Sequence, residues 1–410
     1  MKLWDPNEPI IQHMDEDDVY KLTMGNFIYQ FFPNVRVAWE LTIRSQSIRM
    51  SDYINMVELW EHLDHAANLN YSDEDIVHFR SWGIFPESFL KRLRLVKLSK
   101  LHACPETANN GAIKIEADGF WLESSLWETR VLRIIQTLYT RGYAKKHGFD
   151  ESALINEGDR RLTEKLKILR ANPQIKYAAF WMRRAASVLW DKHVTERAVN
   201  ETPDNLIGIS NVHLARKFGK EAVGTRAHEL DMVVVGLRRL ENDELARLVP
   251  YEIMHKWRMT YGHRLLIMLG DTFGTDAFLR RLSPELARVY RGFRLDSGDP
   301  FEGCAKYLRY YDAHRIDARD KLALPSDSLN VPLMIELERH FRGQVQMSFG
   351  LGTDFSNDLG IPPLPAVMKP CEAAGHPVVK LSDNISKATG PKKEIEEVKR
   401  IFGYNSASQV

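Results

Sequence analysis

The chain has 410 residues, of which 27% are charged and 44% hydrophobic, an ordinary globular composition that excludes a disordered or fibrous chain and leaves room for two or three domains of roughly 150 residues. With 56 Lys and Arg against 55 Asp and Glu the net charge is +1, so no global basic field exists to hold nucleic acid or an anionic membrane by counterion release. Cys104, Cys304 and Cys371 are scattered without CxxC spacing, which argues against a disulfide framework or a cysteine zinc site and fits a reducing cytoplasm.

The opening residues form neither a basic nor an apolar leader, and no run of about 18 apolar residues follows, so neither secretion nor membrane spanning is expected. After Asp17 and Asp18, two possible caps, Tyr20, Met24, Phe27 and Phe31 recur at helical spacing, which predicts a helix ended by Pro33. Val35, Val37, Trp39, Leu41 and Ile43 then alternate with Arg36, Ala38, Glu40, Thr42 and Arg44, the pattern of a strand with two unlike faces. Helices are predicted from Tyr53 to Leu63, after Ser72 with its Ser-x-x-Asp opening, and from Pro86 to Val96. Ile113 and Ile115 before Asp118-Gly119, with Phe120 and Leu122 after it, read as a hairpin.

From about Ile175 short apolar runs alternate with amphipathic helical patterns, as in a parallel sheet with crossover helices. The candidate strands are Ile175 to Phe180, Leu206 to Ile209, Glu221 to Val223, Leu265 to Leu269, Gly292 to Leu295, Leu322 to Leu324 and Val345 to Phe349. An open doubly wound sheet and a closed barrel both fit. Small or polar groups directly follow most of these strands, which favours a barrel, whose strand ends converge on one rim. The expected fold class is α/β: an irregular (β/α) barrel of about seven strands over 141–364, with an N-terminal α+β domain over 1–140 completed by 365–410. Within that last segment Ala366 to Met368 and Pro377 to Leu381 read as short strands and Lys392 to Phe402 as a helix.

Several constellations carry chemistry. Gly350, Gly352 and Thr353 follow a strand where backbone N–H groups can face a phosphate, although glycines there often only relieve a turn. Arg294, Asp296 and Asp299 crowd one strand end, with Asp271 and Asp327 at equivalent positions on others. Carboxylates so placed can hold Mg²⁺ through water or bind sugar hydroxyls, and the alternative for each is a helix cap. His228 follows Gly224-Thr225 beside Glu229 and can act as base, acid or phosphoryl acceptor, the alternative being a structural histidine. Arg183-Arg184 suits phosphate or carboxylate, or a solvated helix face. No HExxH or paired metal-spaced histidines support a zinc hydrolase.

The stretches Asp18-x-Tyr20-Lys21-Leu22, Leu126-Trp127-Glu128, Ser210-Asn211-x-x-Leu214-Ala215, Gly224-Thr225-x-Ala227-His228-Glu229, Asp271-x-Phe273-Gly274-Thr275, Arg294-x-Asp296-Ser297-Gly298-Asp299-Pro300, Ser326-Asp327, Ser348-Phe349-Gly350-x-Gly352-Thr353 and Lys380-Leu381-Ser382-Asp383 occur in that order over nearly the whole chain. In these the sequence resembles the nicotinate phosphoribosyltransferases, type II phosphoribosyltransferases related to the nicotinamide enzyme. The resemblance implies transfer of 5-phosphoribosyl from phosphoribosyl pyrophosphate to nicotinate, giving nicotinate mononucleotide for NAD synthesis. It further implies coupled ATP hydrolysis, Mg²⁺, and a cytoplasmic homodimer with active sites shared between subunits. By similarity His228 becomes phosphorylated, and His228, Asp296 and Arg294 form the catalytic group. Tyr20 from the partner subunit stacks on the pyridine ring, and Arg44, also from the partner, reaches phosphate. Arg183 and Arg294 contact the base, its carboxylate or pyrophosphate, Asp296 and Asp327 the ribose, and Gly350, Gly352 and Thr353 the 5′-phosphate. Phe180, Ser210, Asn211, Thr225, Asp271 and Lys380 complete the expected binding set.

The sequence departs from the family where Phe-Gly-Thr-Arg-Arg-Arg is usual and Phe180-Trp181-Met182-Arg183-Arg184-Ala185 stands, so Trp181 is expected to fill or reshape the base pocket. Further departures are Ile209, Asn330 and Asp354, the last setting a negative charge beside the phosphate loop. Action on another heterocyclic base, or a non-catalytic nucleotide-binding role, are the alternatives these departures raise.

Overall fold

The computed structural model describes residues 1–45, 47–106 and 112–404. It comprises two compact units, one of Met1–Gly224 with Leu351–Lys369, the other of Thr225–Gly350 with Pro370–Val410. Among the described residues no helix is long and apolar enough to cross a membrane.

In the first unit the predicted opening helix spans Val19–Phe31, but it is buried on all sides from Val19 to Ile28, with Lys21, Thr23 and Asn26 inside. Such burial requires polar partners rather than an apolar stripe alone. Asp18 stands at its N-cap without a side-chain capping bond, so the expected capping role is replaced by other contacts. The predicted strand is Arg36–Ile43, with Val37, Trp39 and Leu41 buried and Arg36, Glu40 and Thr42 exposed. Helices follow at Met56–Ala67, Asp73–Ser81 and Glu87–Leu93, the second opened by the Ser72–Asp75 capping box.

The hairpin read at Asp118-Gly119 is corrected: both residues lie inside the strand Ala112–Phe120, and Leu122 belongs to the helix Trp121–Ser125. That strand pairs antiparallel with Arg36–Ile43 on one side and with Lys100–Glu106 on the other. Gly119 serves close approach rather than a turn, because a Cβ there would overlap the Cβ of Ser99. Asp118 pairs outward with Arg36 at 2.5 Å. Two long helices, Trp127–His147 and Glu151–Arg170, lead to the strand Tyr177–Ala179, which runs parallel to Leu206–Ile209. The expected strand Glu221 to Val223 reduces to a single parallel bridge between Ile209 and Ala222.

The second unit is built on the parallel strands Ile267–Leu269, Gly292–Leu295, Leu322–Pro325 and Gln346–Met347, side by side in chain order. Helices Pro300–Ala313 and Val331–Phe341 make two of the connections, so the strand ends carrying Asp271, Asp296 and Asp327 share one edge. The strand expected over Val345 to Phe349 breaks at Ser348 into Gln346–Met347 and Phe349–Leu351. The one expected from Pro377 to Leu381 is confined to His376–Pro377, with a bridge from Lys380 to Thr389 further on. Helix Lys392–Phe402 forms as predicted, tied by Glu397 to Arg239 at 2.8 Å.

Candidate active site

In the first unit polar groups gather at the start of the opening helix. Val19 N–H donates to the Ser210 carbonyl at 2.8 Å and Val212 N–H to the Asp17 carbonyl at 2.9 Å, so residues 17–19 are clipped to 210–212. A Cβ on Gly224 would overlap Val19, so a glycine is what lets the helix start come this close. The Asp18 carboxylate accepts Ser210 Oγ–H at 2.5 Å and faces Arg183 Nε at 3.0 Å. Burial pushes this carboxyl up, opposed by the Arg183 charge and the Ser210 hydroxyl.

Glu128, on helix Trp127–His147, is the centre of the group. Its carboxylate meets Lys21 Nζ at 2.8 Å, Arg183 Nη1 at 3.1 Å, Lys369 Nζ at 3.1 Å and the Tyr20 hydroxyl at 3.1 Å. Burial alone would raise its titration, but Lys21, Lys369 and Arg183 together hold it well below the usual carboxylate range. The Arg183 guanidinium also lies 5.2 Å from the Tyr20 ring centre. Sequence reading placed Tyr20, Arg183 and Ser210 in the site. It quoted Lys21 and Glu128 without giving them a role and did not find Lys369. The available signal was a lysine beside the apolar positions Tyr20, Leu22 and Met24 of the opening helix.

The region of the departures reads differently in three dimensions. Trp181 is 1% exposed, its Nε1–H donates to Asp191 at 2.9 Å and its ring stacks on Phe355 at 5.2 Å, so it fills the core of its unit. Met182 is equally buried and its carbonyl accepts Arg133 Nη1–H at 3.2 Å. The expectation that Trp181 shapes a base pocket is therefore corrected. Asp354 faces Lys165, which also bonds Asp358 at 2.7 Å, so its charge is answered locally. Asn330 caps helix Val331–Phe341 by accepting Leu333 N–H at 2.9 Å, and Ile209 is a buried strand residue.

Phe180 N–H donates to the Leu351 carbonyl at 2.8 Å, Asn211 caps helix Val212–Lys217, and Thr225 is half-buried. Arg44 is exposed just past its strand, with its N–H on the Pro365 carbonyl. Gly352 precedes the short turn of helix Thr353–Ser356, and Gly350 is buried in the strand before it.

In the second unit the strand ends assemble a dyad. His228 Nε2 stands 2.9 Å from Asp296 Oδ2 and 3.9 Å from Asp271 Oδ2, while Nδ1 stands 2.9 Å from Thr272 Oγ1. Burial, then the Lys380 charge, lowers the imidazole pKa to about 4, against the pull of Asp271 and Asp296, so the ring is neutral near pH 7. Burial acts to raise Asp296, but Arg294 Nη2 at 3.1 Å and the imidazole hold its carboxyl well below the usual range. An ionised carboxylate only accepts, so Nε2 carries the proton and Nδ1 keeps a lone pair that accepts the Thr272 hydroxyl.

Serine hydroxyls meet further oxygens of these carboxylates. Asp296 Oδ1 accepts Ser326 Oγ–H at 2.9 Å and Asp271 Oδ2 accepts Ser297 Oγ–H at 2.6 Å. Asp383 accepts Thr275 N–H at 2.7 Å and its own N–H donates to Ser297 Oγ. Arg294 Nη1 donates to the Arg226 carbonyl at 3.0 Å, and Asp327 pairs with Lys387. The helix-cap alternative applies to Asp299, which accepts Phe301 and Glu302 N–H groups, and not to Asp296. Thr272, Ser297 and Ser326 complete the dyad; sequence reading gave them no role because hydroxyls next to acidic residues look like ordinary turns. Asp271 Oδ1 is buried without a partner, yet among the described residues no three metal-ligating side chains come together.

Parallel strand ends carrying carboxylates and an arginine, with a histidine at the start of helix Glu229–Arg238 beside them, define an α/β protein of the kind that works on charged small molecules. Residues 175–406 match the nicotinate phosphoribosyltransferase (NAPRTase) family and residues 16–136 the NAPRTase N-terminal domain, so the chain belongs to the nicotinate phosphoribosyltransferase family. Solved structures agree. The nicotinate phosphoribosyltransferase of Porphyromonas gingivalis is 27% identical with a TM-score of 0.85, covering 96% of this chain and 100% of that one. The Vibrio cholerae enzyme is 28% identical with a TM-score of 0.87, covering 98% and 96%. A relative from Saccharomyces cerevisiae is 28% identical with a TM-score of 0.85, covering 98% and 100%.

Proposed function

We propose that this chain transfers the 5-phosphoribosyl group of phosphoribosyl pyrophosphate to the ring nitrogen of nicotinate, giving nicotinate mononucleotide and pyrophosphate, with ATP hydrolysis coupled to the transfer. The observation that carries this reading is the neutral His228 held between Asp296 and Thr272 at parallel strand ends, in a chain of this family. In the coupled step the unprotonated ring nitrogen attacks the γ-phosphorus of ATP. The N–P bond forms as the P–O bond to ADP breaks, and ionised Asp296 stabilises the positive charge developing on the Nε2–H side. Arg294 and Lys380 supply positive charge for phosphate oxygens, while Asp296, Asp271 and Asp327 suit ribose hydroxyls and the oxocarbenium character that develops at C1′. Mg²⁺ belongs to the reading as part of the phosphate substrates. Tyr20 and Arg183, aligned by Glu128, would present a ring face and a cation to the pyridine carboxylate. The irregular barrel, the division into 1–140 with 365–410 and 141–364, the cytoplasmic location and the homodimer with shared sites belong to the same proposal.

Pyrophosphate release with phosphoribosyl pyrophosphate, ATP, Mg²⁺ and a panel of pyridine bases tests it, nicotinate being the expected substrate. Incubation with γ-labelled ATP should give an acid-labile, base-stable label that His228→Ala abolishes while slow basal transfer persists. A label surviving that substitution removes His228 from the mechanism. For the shared site, remixing unfolded Tyr20→Ala and His228→Ala chains should restore activity above the sum of the two, and no gain despite subunit exchange would sink it.

A further inference from the structure

The second unit contains a cavity of about 320 Å³ that shares Thr272 with the dyad but is bordered by neither His228 nor Asp296. Its walls mix aromatic and aliphatic side chains with arginines. Tyr251 and Phe278 stack at 5.5 Å and 15°, and Phe273 and Phe402 at 4.3 Å and 14°, and all four rings border the cavity. Their polar groups are spent internally, the Tyr251 hydroxyl donating to the Phe278 carbonyl at 2.6 Å. A cavity so lined favours a flat apolar or aromatic body.

The charged lining is of one predominant sign. Arg247, Arg280, Arg281 and Arg400 all border the cavity. The carboxylates they meet are Glu244, which takes Arg281 at 2.6 Å and Arg247 at 3.0 Å, and Asp243, which takes Arg400 at 2.5 Å. Arg280 meets no carboxylate among the described residues; its Nη2 donates only to the carbonyls of Phe402 and Gly403, at 2.9 and 3.0 Å. Asp231, also in the lining, is neutralised by Arg226 at 2.6 Å. Positive charge is therefore in excess at the cavity, and a guanidinium already oriented by two carbonyls keeps other N–H groups for an oxyanion.

We propose that this cavity is a second ligand site, taking an aromatic ring that carries a phosphate, the chemistry of a nucleoside monophosphate. The ring would lie against the aromatic walls and the phosphate against Arg280 with its neighbouring arginines. Thr272 borders the cavity and bonds His228 Nδ1, whereas Asp296, which bonds Nε2, does not border it.

The test is equilibrium dialysis with AMP as the probe, on the full chain. Wild type should bind AMP. Arg280→Glu should weaken that binding by at least about tenfold, the loss expected of one charge-assisted contact replaced by repulsion, while Arg280→Lys, which keeps the charge, should retain most of it. In Asp296→Asn, where any binding of AMP on the catalytic rim is weakened, the Arg280-dependent binding should remain. Adenosine and ribose 5-phosphate, each half of the ligand, should compete at least about tenfold more weakly than AMP. Because Arg280 also holds the end of helix Lys392–Phe402, a thermal melt of Arg280→Glu must match that of Arg280→Lys; if it does not, Arg281→Glu, which leaves those carbonyl contacts in place, replaces it with the same expected loss. AMP binding that is absent, that the glutamate variants leave unchanged, that Asp296→Asn abolishes, or that ribose 5-phosphate matches would overturn the proposal.

Discussion

The Nε2 of His228 and the Oδ2 of Asp296 stand 2.9 Å apart with the histidine side chain 3% exposed, yet the imidazole is neutral. A carboxylate partner raises a histidine; here burial and the Lys380 charge outweigh it and bring the pKa from 6.5 to about 4. The chain can thus offer a nucleophilic ring nitrogen at neutral pH while the carboxylate stays ionised.

Linkage gives this a measurable sign. Unfolded, His228 takes up its proton near pH 6.5; folded, not until about 4. Its contribution to stability is therefore complete above pH 6.5 and is lost as pH falls through about 4, on the order of 3 kcal/mol in all. Histidine NMR titration should place His228 near 4, and Lys380→Met should move it upward. A midpoint at the ordinary histidine value would contradict the account.

Trp181→Gly should destabilise the protein by about 3–5 kcal/mol, because it empties a buried site and strips Asp191 of its indole donor. It should not improve turnover of nicotinate. Urea denaturation measures the first, and a raised kcat/KM would restore the idea that Trp181 walls the base pocket.

Glu128→Gln removes the carboxylate shared by Lys21, Arg183 and Lys369, all within 3.1 Å. Breaking such a buried charge group should cost about 3–5 kcal/mol. Adding Lys21→Met should recover part of the loss, since the two residues interact directly. Strict additivity in that cycle would mean they are not coupled.

Gly119→Ala should cost about 1–3 kcal/mol through the clash with Ser99, and Ser99→Gly should relieve it. Asp118→Asn, breaking an exposed pair with Arg36, should change stability by less than about 1 kcal/mol. If Ser99→Gly gives no relief, the glycine is serving a turn after all.

Local periodicity carried the elements whose side chains alternate between water and core, such as Arg36–Ile43 and Lys392–Phe402. It could also say that Asp271, Asp296 and Asp327 follow strands, because a short apolar run ending in an acid is visible in one dimension. It misread Asp118-Gly119, where a glycine demanded by a neighbouring strand looks the same as one demanded by a turn. It set Trp181 at a base pocket, since a large ring after a strand faces a pocket or the core according to packing from residues far along the chain, here Phe355. Amino-acid order thus determined the elements, the family and the residue types at the strand ends. Only tertiary structure decided that Lys21, Glu128, Arg183 and Lys369 share one buried carboxylate and that His228 is neutral, because desolvation and charge pairing depend on groups brought together across the fold.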